Sequence, residues 1–151
     1  MIGLDTSYVV ALAVREHPAH DAAWRLFETE IRGRDGSMAL TPQVLTEFAH
    51  VVSDPRRFER PLVLGDALSL SARLWQAREC RQVAAGADAV SIFLDWMTLH
   101  GLGRKRLLDT MLAATYRAAG VERLASTDWR DFELFDTFEV VRIGGASAER
   151  P

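Results

Sequence analysis

The sequence is poor in cysteine and has no long apolar run. Cys80 is its single cysteine, so an intrachain disulfide is excluded and a disulfide-stapled secreted fold is not expected. The chain begins without a basic segment followed by a long apolar stretch, so neither a secretory signal nor a membrane span is predicted. These absences favour a protein of the reducing cytoplasm.

Strong basic charge is also lacking. The net charge is -3 and the isoelectric point is near 5.8, so no global basic field indicates a nucleic-acid binder, although a local patch can serve that purpose on an acidic protein. Lys105 is the single lysine among 18 basic residues. The excess of arginine suits bidentate phosphate contacts, but a compositional bias gives the same pattern.

What is present is an ordinary globular composition, 48% hydrophobic and 26% charged over 151 residues. It predicts one domain over 1–143 followed by a flexible tail over 144–151. Periodicity and turn residues predict strands at 1–4, 37–40, 82–85, 124–126 and 139–143. Helices are predicted at 8–14, from 17 or 18 to 33, at 42–52, 64–80 and 87–100, from 105 or 106 to 119, and as a short turn between the last two strands. This alternation predicts an α/β fold with a mainly parallel sheet covered on both faces.

Four carboxylates occupy positions that this fold would bring to one edge of the sheet. Asp5 ends the first apolar run, and Asp128 follows the strand at 124–126. Glu47 lies on the apolar side of the helix at 42–52, where an unpaired charge is costly. Asp109 lies in the first turns of its helix beside small neighbours. Because sites in open α/β sheets form beyond the carboxyl ends of the strands, these acids are candidate site residues.

Each acid also has a purely structural interpretation. Asp5 suits the N-cap of the following helix, and Asp109 suits the positive end of a helix dipole. Asp128 and Asp131 have the spacing of a capping box. Glu47 could reach solvent or pair with an arginine. Taken singly, no acid decides between the two interpretations.

Taken together, the acids predict a cation. Two like charges about 4 Å apart repel by roughly 4 kcal/mol at an effective dielectric constant of 20, so a cluster of carboxylates needs a metal ion or raised pKa values. Oxygen ligands alone favour Mg²⁺ or Mn²⁺, whereas zinc usually recruits cysteine or histidine. The histidines form no ligand pair, and structural or solvent-facing roles are expected for His17, His20 and His100.

The four acidic motifs resemble those of a known family. Asp5 in GLDTS, Glu47 in LTEF, Asp109 in LLDTMLAAT and Asp128 in STDWRDF are similar, in order, spacing and type of element, to the motifs of PIN-domain ribonucleases. The length and the segments HPAH and GVERLASTDWRDF resemble free-standing VapC-type toxins of toxin–antitoxin pairs. The resemblance runs from Met1 to about Ile143 and implies a PIN-like three-layer α/β/α domain.

The resemblance also implies a function. It implies a metal-dependent endoribonuclease that uses Mg²⁺ or Mn²⁺, with Asp5, Glu47, Asp109 and Asp128 as catalytic and metal-site carboxylates. Ser126 falls where the family usually has Thr or Ser, and some members add a fifth acid at the position of Asp131. The family often has Tyr-Asp-Ala where this chain has Leu-Asp-Thr, and the segment SDPRRFERPLVLGD matches no general pattern.

Further residues and partners follow from the same reasoning. Thr6, Ser7 and Ser126 are candidates to hydrogen-bond a metal-bound water or a phosphate, although small polar residues at strand ends also cap helices. The candidate RNA contacts are the basic residues near Asp109 and Asp128, namely Arg104, Lys105, Arg106 and Arg130. The implied partners are a structured RNA such as tRNA or rRNA, a cognate antitoxin protein and a second copy of the chain, with no membrane.

Other functions fit the residues less well. A haloacid-dehalogenase-type phosphatase or phosphotransferase needs a second aspartate two residues after the first, where this chain has Ser7. A receiver-type phosphoacceptor needs an adjacent acid pair and a lysine after a late strand, but Lys105 precedes a helix. A PIN-like scaffold without catalytic activity would retain the acids only as helix caps.

Overall fold

The computed structural model describes residues 1–144, which form five strands and seven helices. The strands are β1 (Ile2–Leu4), β2 (Met38–Leu40), β3 (Cys80–Gln82), β4 (Arg123–Ser126) and β5 (Glu139–Arg142). The helices are α1 (Thr6–Ala13), α2 (His20–Leu26), α3 (Pro42–Val52), α4 (Leu64–Gln76), α5 (Ala87–Leu99), α6 (Leu107–Ala118) and α7 (Arg130–Glu133). A π-helical turn at Phe27–Ile31 extends α2, and a 3-10 turn at Arg104–Arg106 precedes α6. Of the tail predicted at 144–151, residues 145–151 lie outside the described part of the chain.

The sheet has the strand order β3-β2-β1-β4-β5, and all four strand pairings are parallel. β1 lies at the centre, where Gly3 pairs with Ala39 of β2 on one side and with Leu124 of β4 on the other. The chain first builds the sheet from β1 towards β3 and then returns to the other side of β1. This reversal places a topological switch point at the carboxyl ends of β1 and β4, where ligands of open α/β sheets usually bind.

The helices form a layer on each face of the sheet. Helices α1 to α4 contact one another, whereas α6 contacts α5 and α7. Since parallel crossovers are right-handed, the reversal of direction after β3 puts the later helices on the opposite face. The predicted three-layer α/β/α architecture is confirmed.

Gly3 lets one helix approach the central strand closely. An added Cβ atom at Gly3 would lie 2.9 Å from Cδ2 of Tyr116, a residue of α6 that is completely buried. The Tyr116 hydroxyl donates to the carbonyl oxygen of Leu4 at 2.7 Å and also lies 3.0 Å from that of Ala39. This contact fixes α6, which carries Asp109, against the centre of the sheet.

Two expectations about the edge of the fold are wrong. The sequence predicted a helix to 80 and a strand at 82–85, but β3 is Cys80–Gln82, in register with Met38–Leu40. β3 is an edge strand with Arg81 and Gln82 exposed, so its sequence lacks the apolar run of a central strand. On α5, the apolar side chains of Val90 and Leu94 are exposed and do not face the core.

No helix within residues 1–144 is both long and apolar enough to cross a membrane.

Candidate functional site

A pocket of about 760 Å³ opens at the carboxyl ends of β1 and β4. The four candidate acids all line it, together with Thr6, Ser7 and Asp131. The acids come from separate parts of the chain: Asp5 from the end of β1, Glu47 from α3, Asp109 from the first turn of α6 and Asp128 from the loop after β4. The parallel sheet therefore brings together residues that are more than 120 positions apart.

Asp5 lies deepest, with 6% of its surface exposed. Its Oδ2 atom accepts hydrogen bonds from Ser7 Oγ at 2.6 Å and from Ser126 Oγ at 2.8 Å. Asp5 is the N-cap residue of α1, yet its side chain makes no capping hydrogen bond. The structure therefore does not support a purely capping role for this carboxylate.

The two serines also fix the loop after β4. Ser126 Oγ accepts from the backbone N–H of Asp128 at 2.9 Å, and Ser7 Oγ accepts from that of Thr127 at 3.0 Å. Ser126 is completely buried beneath the pocket. Each serine thus donates to Asp5 and at the same time sets the path of the loop that carries Asp128.

Glu47 is held by polar neighbours rather than by an arginine. Its Oε2 atom accepts from Thr6 Oγ1 at 3.0 Å, and its Oε1 atom accepts from the side-chain amide of Gln43 at 3.0 Å. The Gln43 amide also donates to the carbonyl oxygen of Leu108 at 3.1 Å, directly before Asp109. Gln43 therefore connects α3 to the start of α6 across the pocket.

The carboxylates influence each other's protonation. Burial raises the pKa of Asp109 from 3.8 to about 6, and the negative charges of Asp5, Asp131 and Glu47 act in the same direction. Burial also raises the pKa of Asp5, with Asp128 adding to the effect, although the bonds from Ser7 and Ser126 oppose it. These shifts are typical of carboxylates that are buried close to one another.

Asp128 and Asp131 differ in their partners. Asp128 is exposed at the rim, and no side-chain capping bond begins α7, so the predicted capping box is not formed. The Asp131 carboxylate pairs with Arg106, whose guanidinium lies 2.5 Å from Oδ1 and also donates to the Asp131 carbonyl oxygen. Asp131 is therefore partly neutralised, whereas Asp128 forms no ion pair with a lysine or arginine in the described part of the chain.

The four predicted RNA-contacting residues differ in whether they are exposed, ion-paired or part of a pocket. Arg104 and Lys105 are exposed but do not line the pocket, and the Arg106 guanidinium is occupied by Asp131. Arg130 lies over the ring of Trp129, with its guanidinium carbon 4.3 Å from the ring centroid. It lines a smaller pocket of about 220 Å³ that includes Asp128 and Asp131. Of these four residues, Arg106 contacts an acid of the pocket directly, through Asp131, and Arg130 shares the smaller pocket with Asp128 and Asp131.

Four residues for which the sequence predicts no role in the site also line the carboxylate pocket. They are His17, His50, Arg57 and Phe58. His17 Nδ1 accepts from the backbone N–H of Ala19 at 3.1 Å, and burial lowers the pKa of the ring although Asp128 opposes this effect. The segment DPRRFERP shows that an arginine and a phenylalanine are adjacent in the chain. The sequence alone does not show that they lie beside the acids.

The acids and hydroxyls of the pocket offer oxygen atoms, and His17 and His50 add imidazole nitrogens to its lining. Within residues 1–144, no three Asp, Glu, His or Cys side chains are arranged so that they could hold a metal ion together. Mg²⁺ is usually bound by one or two carboxylates and keeps several waters. The donor set is therefore compatible with a hydrated ion but does not form a complete protein cage.

Comparison with known proteins agrees with the fold. The family model described as PIN domain matches residues 2–137. The chain is 29% identical over 137 residues to Ribonuclease VapC24 of Mycobacterium tuberculosis, covering 89% of this chain and 91% of the relative.

Two solved structures share the fold. The crystal structure of Mycobacterium tuberculosis VapC20, a Sarcin-Ricin loop cleaving toxin, superposes with a TM-score of 0.71 at 22% identity, covering 94% of this chain and 99% of the other. VapBC2 from Rickettsia felis, bound to a DNA fragment from its promoter, gives a TM-score of 0.63 at 16% identity, covering 95% and 100%.

Proposed function

This chain belongs to the PIN domain family, and we propose on that premise that it is a metal-dependent endoribonuclease acting as the toxin of a toxin–antitoxin pair. The relative named Ribonuclease VapC24 supports the ribonuclease activity. The reaction is hydrolysis of an RNA phosphodiester bond, in which a water attacks phosphorus and the leaving ribose oxygen takes a proton.

One observation supports this function best: a single pocket is lined by Asp5, Glu47, Asp109 and Asp128. An RNA phosphate is itself an anion, so a pocket lined by carboxylates repels it unless a cation is present. Burial raises the pKa of Asp109 to about 6, and the negative charges of the neighbouring acids act in the same direction. A divalent cation held by these carboxylates would offset their negative charge and allow the phosphate to approach.

The residues present fit Mg²⁺ or Mn²⁺ better than a softer metal. PIN-domain ribonucleases generally depend on a divalent metal ion, and hard ions favour carboxylate oxygen and water. We assign Asp5 and Asp109 as the first direct ligands and Asp128 as the next, with Glu47 acting directly or through a water. When bound, the metal lowers the pKa of a water ligand and stabilises charge that develops on the phosphate.

The remaining polar groups orient the carboxylates. Ser7 and Ser126 keep Oδ2 of Asp5 engaged, which directs its Oδ1 atom to a ligand. Thr6 and Gln43 fix both oxygens of Glu47. Outer partners of this kind set ligand orientation in metal sites, and losing one typically lowers metal affinity or activity by about 10- to 100-fold.

The partners are inferred from the relatives. VapC20 is described as cleaving the Sarcin-Ricin loop, which supports a structured RNA such as rRNA or tRNA as substrate. VapBC2 supports a cognate antitoxin protein. Exposed apolar side chains on α4 and α5 support a homodimer; they are Leu64, Leu68, Val90, Leu94 and Leu99.

RNA cleavage by the purified chain tests the proposal. We expect cleavage of a structured RNA in Mg²⁺ or Mn²⁺, none in EDTA, and a large loss in Asp109→Asn. Asp66→Asn is the matched control, because Asp66 lies in the first turn of α4 but not in the pocket. Cleavage that persists in EDTA, or equal activity in the two variants, would contradict the proposed function.

A further inference from the structure

The carboxylate pocket is also lined by an arginine and an aromatic ring. Arg57 and Phe58, from the loop between α3 and α4, line the same pocket as the acids at the ends of β1 and α6. Among the described residues, Arg57 is the one lysine or arginine that lines this pocket. Nothing in the proposed metal chemistry accounts for an arginine and an aromatic ring at this position.

A buried aspartate builds the turn that presents these two side chains. Asp54 is 8% exposed, and its Oδ1 atom accepts from the backbone N–H of Arg56 at 2.9 Å and from Arg56 Nε at 3.1 Å. The Asp54 carbonyl oxygen accepts from the backbone N–H groups of Arg57 and Phe58 at 3.1 and 3.2 Å. Asp54 therefore fixes the backbone of the turn at its start.

The Arg57 guanidinium remains available for a ligand. Its side chain is 59% exposed, and its contact with Asp54 is a loose ion pair of 3.7 Å. Within residues 1–144 it makes no side-chain hydrogen bond by its own donors. Arg106, in contrast, is held by Asp131. A planar guanidinium with free donors is suited to bind a phosphate in a bidentate manner.

The Phe58 side chain contacts both the hydrophobic core and the pocket. It is partly buried and packs against the core while lining the pocket. Of the other aromatic residues near the acids, Phe132 lines the pocket but is buried. Trp129 has guanidinium groups of Arg130 and Arg142 at 4.3 and 4.1 Å from its ring centroid. Trp129 is therefore already engaged, which leaves Phe58 as the better surface for stacking a base.

We propose that Arg57 and Phe58 form the contact for the substrate strand beside the scissile phosphate, with Arg57 binding a neighbouring phosphate and Phe58 stacking on an adjacent base. This inference rests on the proposed function and adds the residues that recognise the RNA strand. Single-stranded nucleic acids are commonly bound by such a combination of cationic and aromatic groups. Asp54 is the positioning residue of this contact.

Binding of a labelled RNA isolates this contact from cleavage. Fluorescence anisotropy is measured with a single-stranded RNA of about 12 nucleotides, within the usual range of single-strand sites, in excess Mg²⁺ and in the Asp109→Asn background. Arg57→Gln is compared with Arg60→Gln, since Arg60 is exposed in the same loop but does not line the carboxylate pocket. Gel analysis of a structured RNA with wild type and Asp109→Asn reports separately whether the proposed nuclease function holds.

We expect Arg57→Gln to raise Kd by about 5- to 10-fold and to reduce the slope of log K against log salt by about 0.7, the value for one phosphate contact on a single strand. Arg60→Gln should change neither quantity by more than about a factor of 2. If the two variants bind alike, Arg57 has no specific phosphate contact and the proposal is wrong, whether or not the wild type cleaves RNA.

Phe58 is tested through variants that preserve its packing. Phe58→Leu keeps an apolar side chain against the core, and we expect about 5-fold weaker binding with an unchanged salt slope, because stacking is not an ion-pair contact. Phe58→Trp should restore binding. Thermal melts show that each variant is folded. Wild-type affinity in Phe58→Leu would overturn the stacking assignment.

Discussion

Ser126 donates a hydrogen bond of 2.8 Å to the carboxylate of Asp5, although 121 positions separate the two residues. The bond joins the ends of β4 and β1, neighbouring strands of one parallel sheet. The same hydroxyl accepts from the backbone N–H of Asp128. One buried serine therefore orients two of the proposed metal-site residues.

Removing this hydroxyl should weaken the site without unfolding the protein. We expect Ser126→Ala to lower Mn²⁺ affinity or RNA cleavage by about 10- to 100-fold, as is usual when an outer partner of a metal ligand is lost. Ser126→Thr keeps the hydroxyl and should retain most of the activity. Calorimetric Mn²⁺ titration and cleavage rates measure the two effects, and equal activity of the Ala and Thr variants would contradict the role of the hydroxyl.

Asp109 should make the stability of the metal-free protein fall as pH rises. Its pKa is about 6 in the folded protein, above the ordinary 3.8, so between these values the folded state binds more protons than the unfolded state. The contribution of Asp109 to the free energy of unfolding therefore decreases from about pH 4 to about pH 6 and stays at the lower level above that range.

Asp109→Asn should lack this decrease. Denaturant unfolding in EDTA on both sides of the pH window should show the variant gaining stability relative to wild type as pH rises. Asp66→Asn, in the first turn of α4, controls for the loss of a favourable helix-dipole contact, which costs about 0.3–1 kcal/mol. A constant difference between Asp109→Asn and wild type at every pH would contradict the assignment.

The close approach of Tyr116 to Gly3 predicts a specific cost of adding a methyl group. Gly3→Ala places Cβ 2.9 Å from the Tyr116 ring, and overpacking of this kind typically costs about 1–3 kcal/mol. Gly65→Ala is the control, because Gly65 lies in α4 with nothing near its missing Cβ, and it should be neutral or stabilising. Denaturant unfolding compares the two, and equal stability would show that α6 moves away freely.

The exposed apolar side chains of α4 and α5 predict a dimer. Light scattering at micromolar concentration should give twice the monomer mass. Leu94→Glu, at a position that is 57% exposed, should reduce dimerisation without disturbing the core. A monomer mass for the wild-type chain would contradict the dimer, and a dimeric Leu94→Glu would exclude this surface of α5.

The sequence predicted the parts of the site that depend on local pattern. Apolar runs followed by acids located Asp5 and Asp128, and the alternation of strands and helices predicted that these acids share an edge of the sheet. Asp109 and Glu47 also line the predicted pocket, whereas their roles as metal ligands stay predictions. Local pattern was sufficient here because β1 and β4 are buried strands, and buried strands have apolar sequences.

Features that depend on tertiary contacts could not be predicted in the same way. β3 is an exposed edge strand whose register is set by hydrogen bonds with β2, and its sequence carries no strand pattern. Arg57 reaches the pocket because Asp54 closes a turn, which the sequence shows only as a segment of prolines and charges. The pairing of Arg106 with Asp131 joins the 3-10 turn before α6 to α7 and occupies the guanidinium of one expected RNA contact, whose role stays a prediction.

The central claim is that the carboxylates hold a divalent ion that is needed for cleavage. Removing one carboxylate relieves repulsion, so metal-free Asp5→Asn should be at least as stable as metal-free wild type. Metal that binds only the native state should stabilise wild type by about 2.7 kcal/mol at one hundred times its Kd, and Asp5→Asn should gain less at the same concentration because its affinity is lower.

Unfolding of wild type and Asp5→Asn with EDTA and with excess Mg²⁺, beside cleavage of a structured RNA by the same samples, tests this claim most directly. The account predicts that Asp5→Asn loses metal stabilisation and RNA cleavage together while remaining folded in EDTA. An Asp5→Asn protein that is less stable than wild type in EDTA by the roughly 1 kcal/mol of a lost helix cap, yet cuts RNA at the wild-type rate, would contradict it.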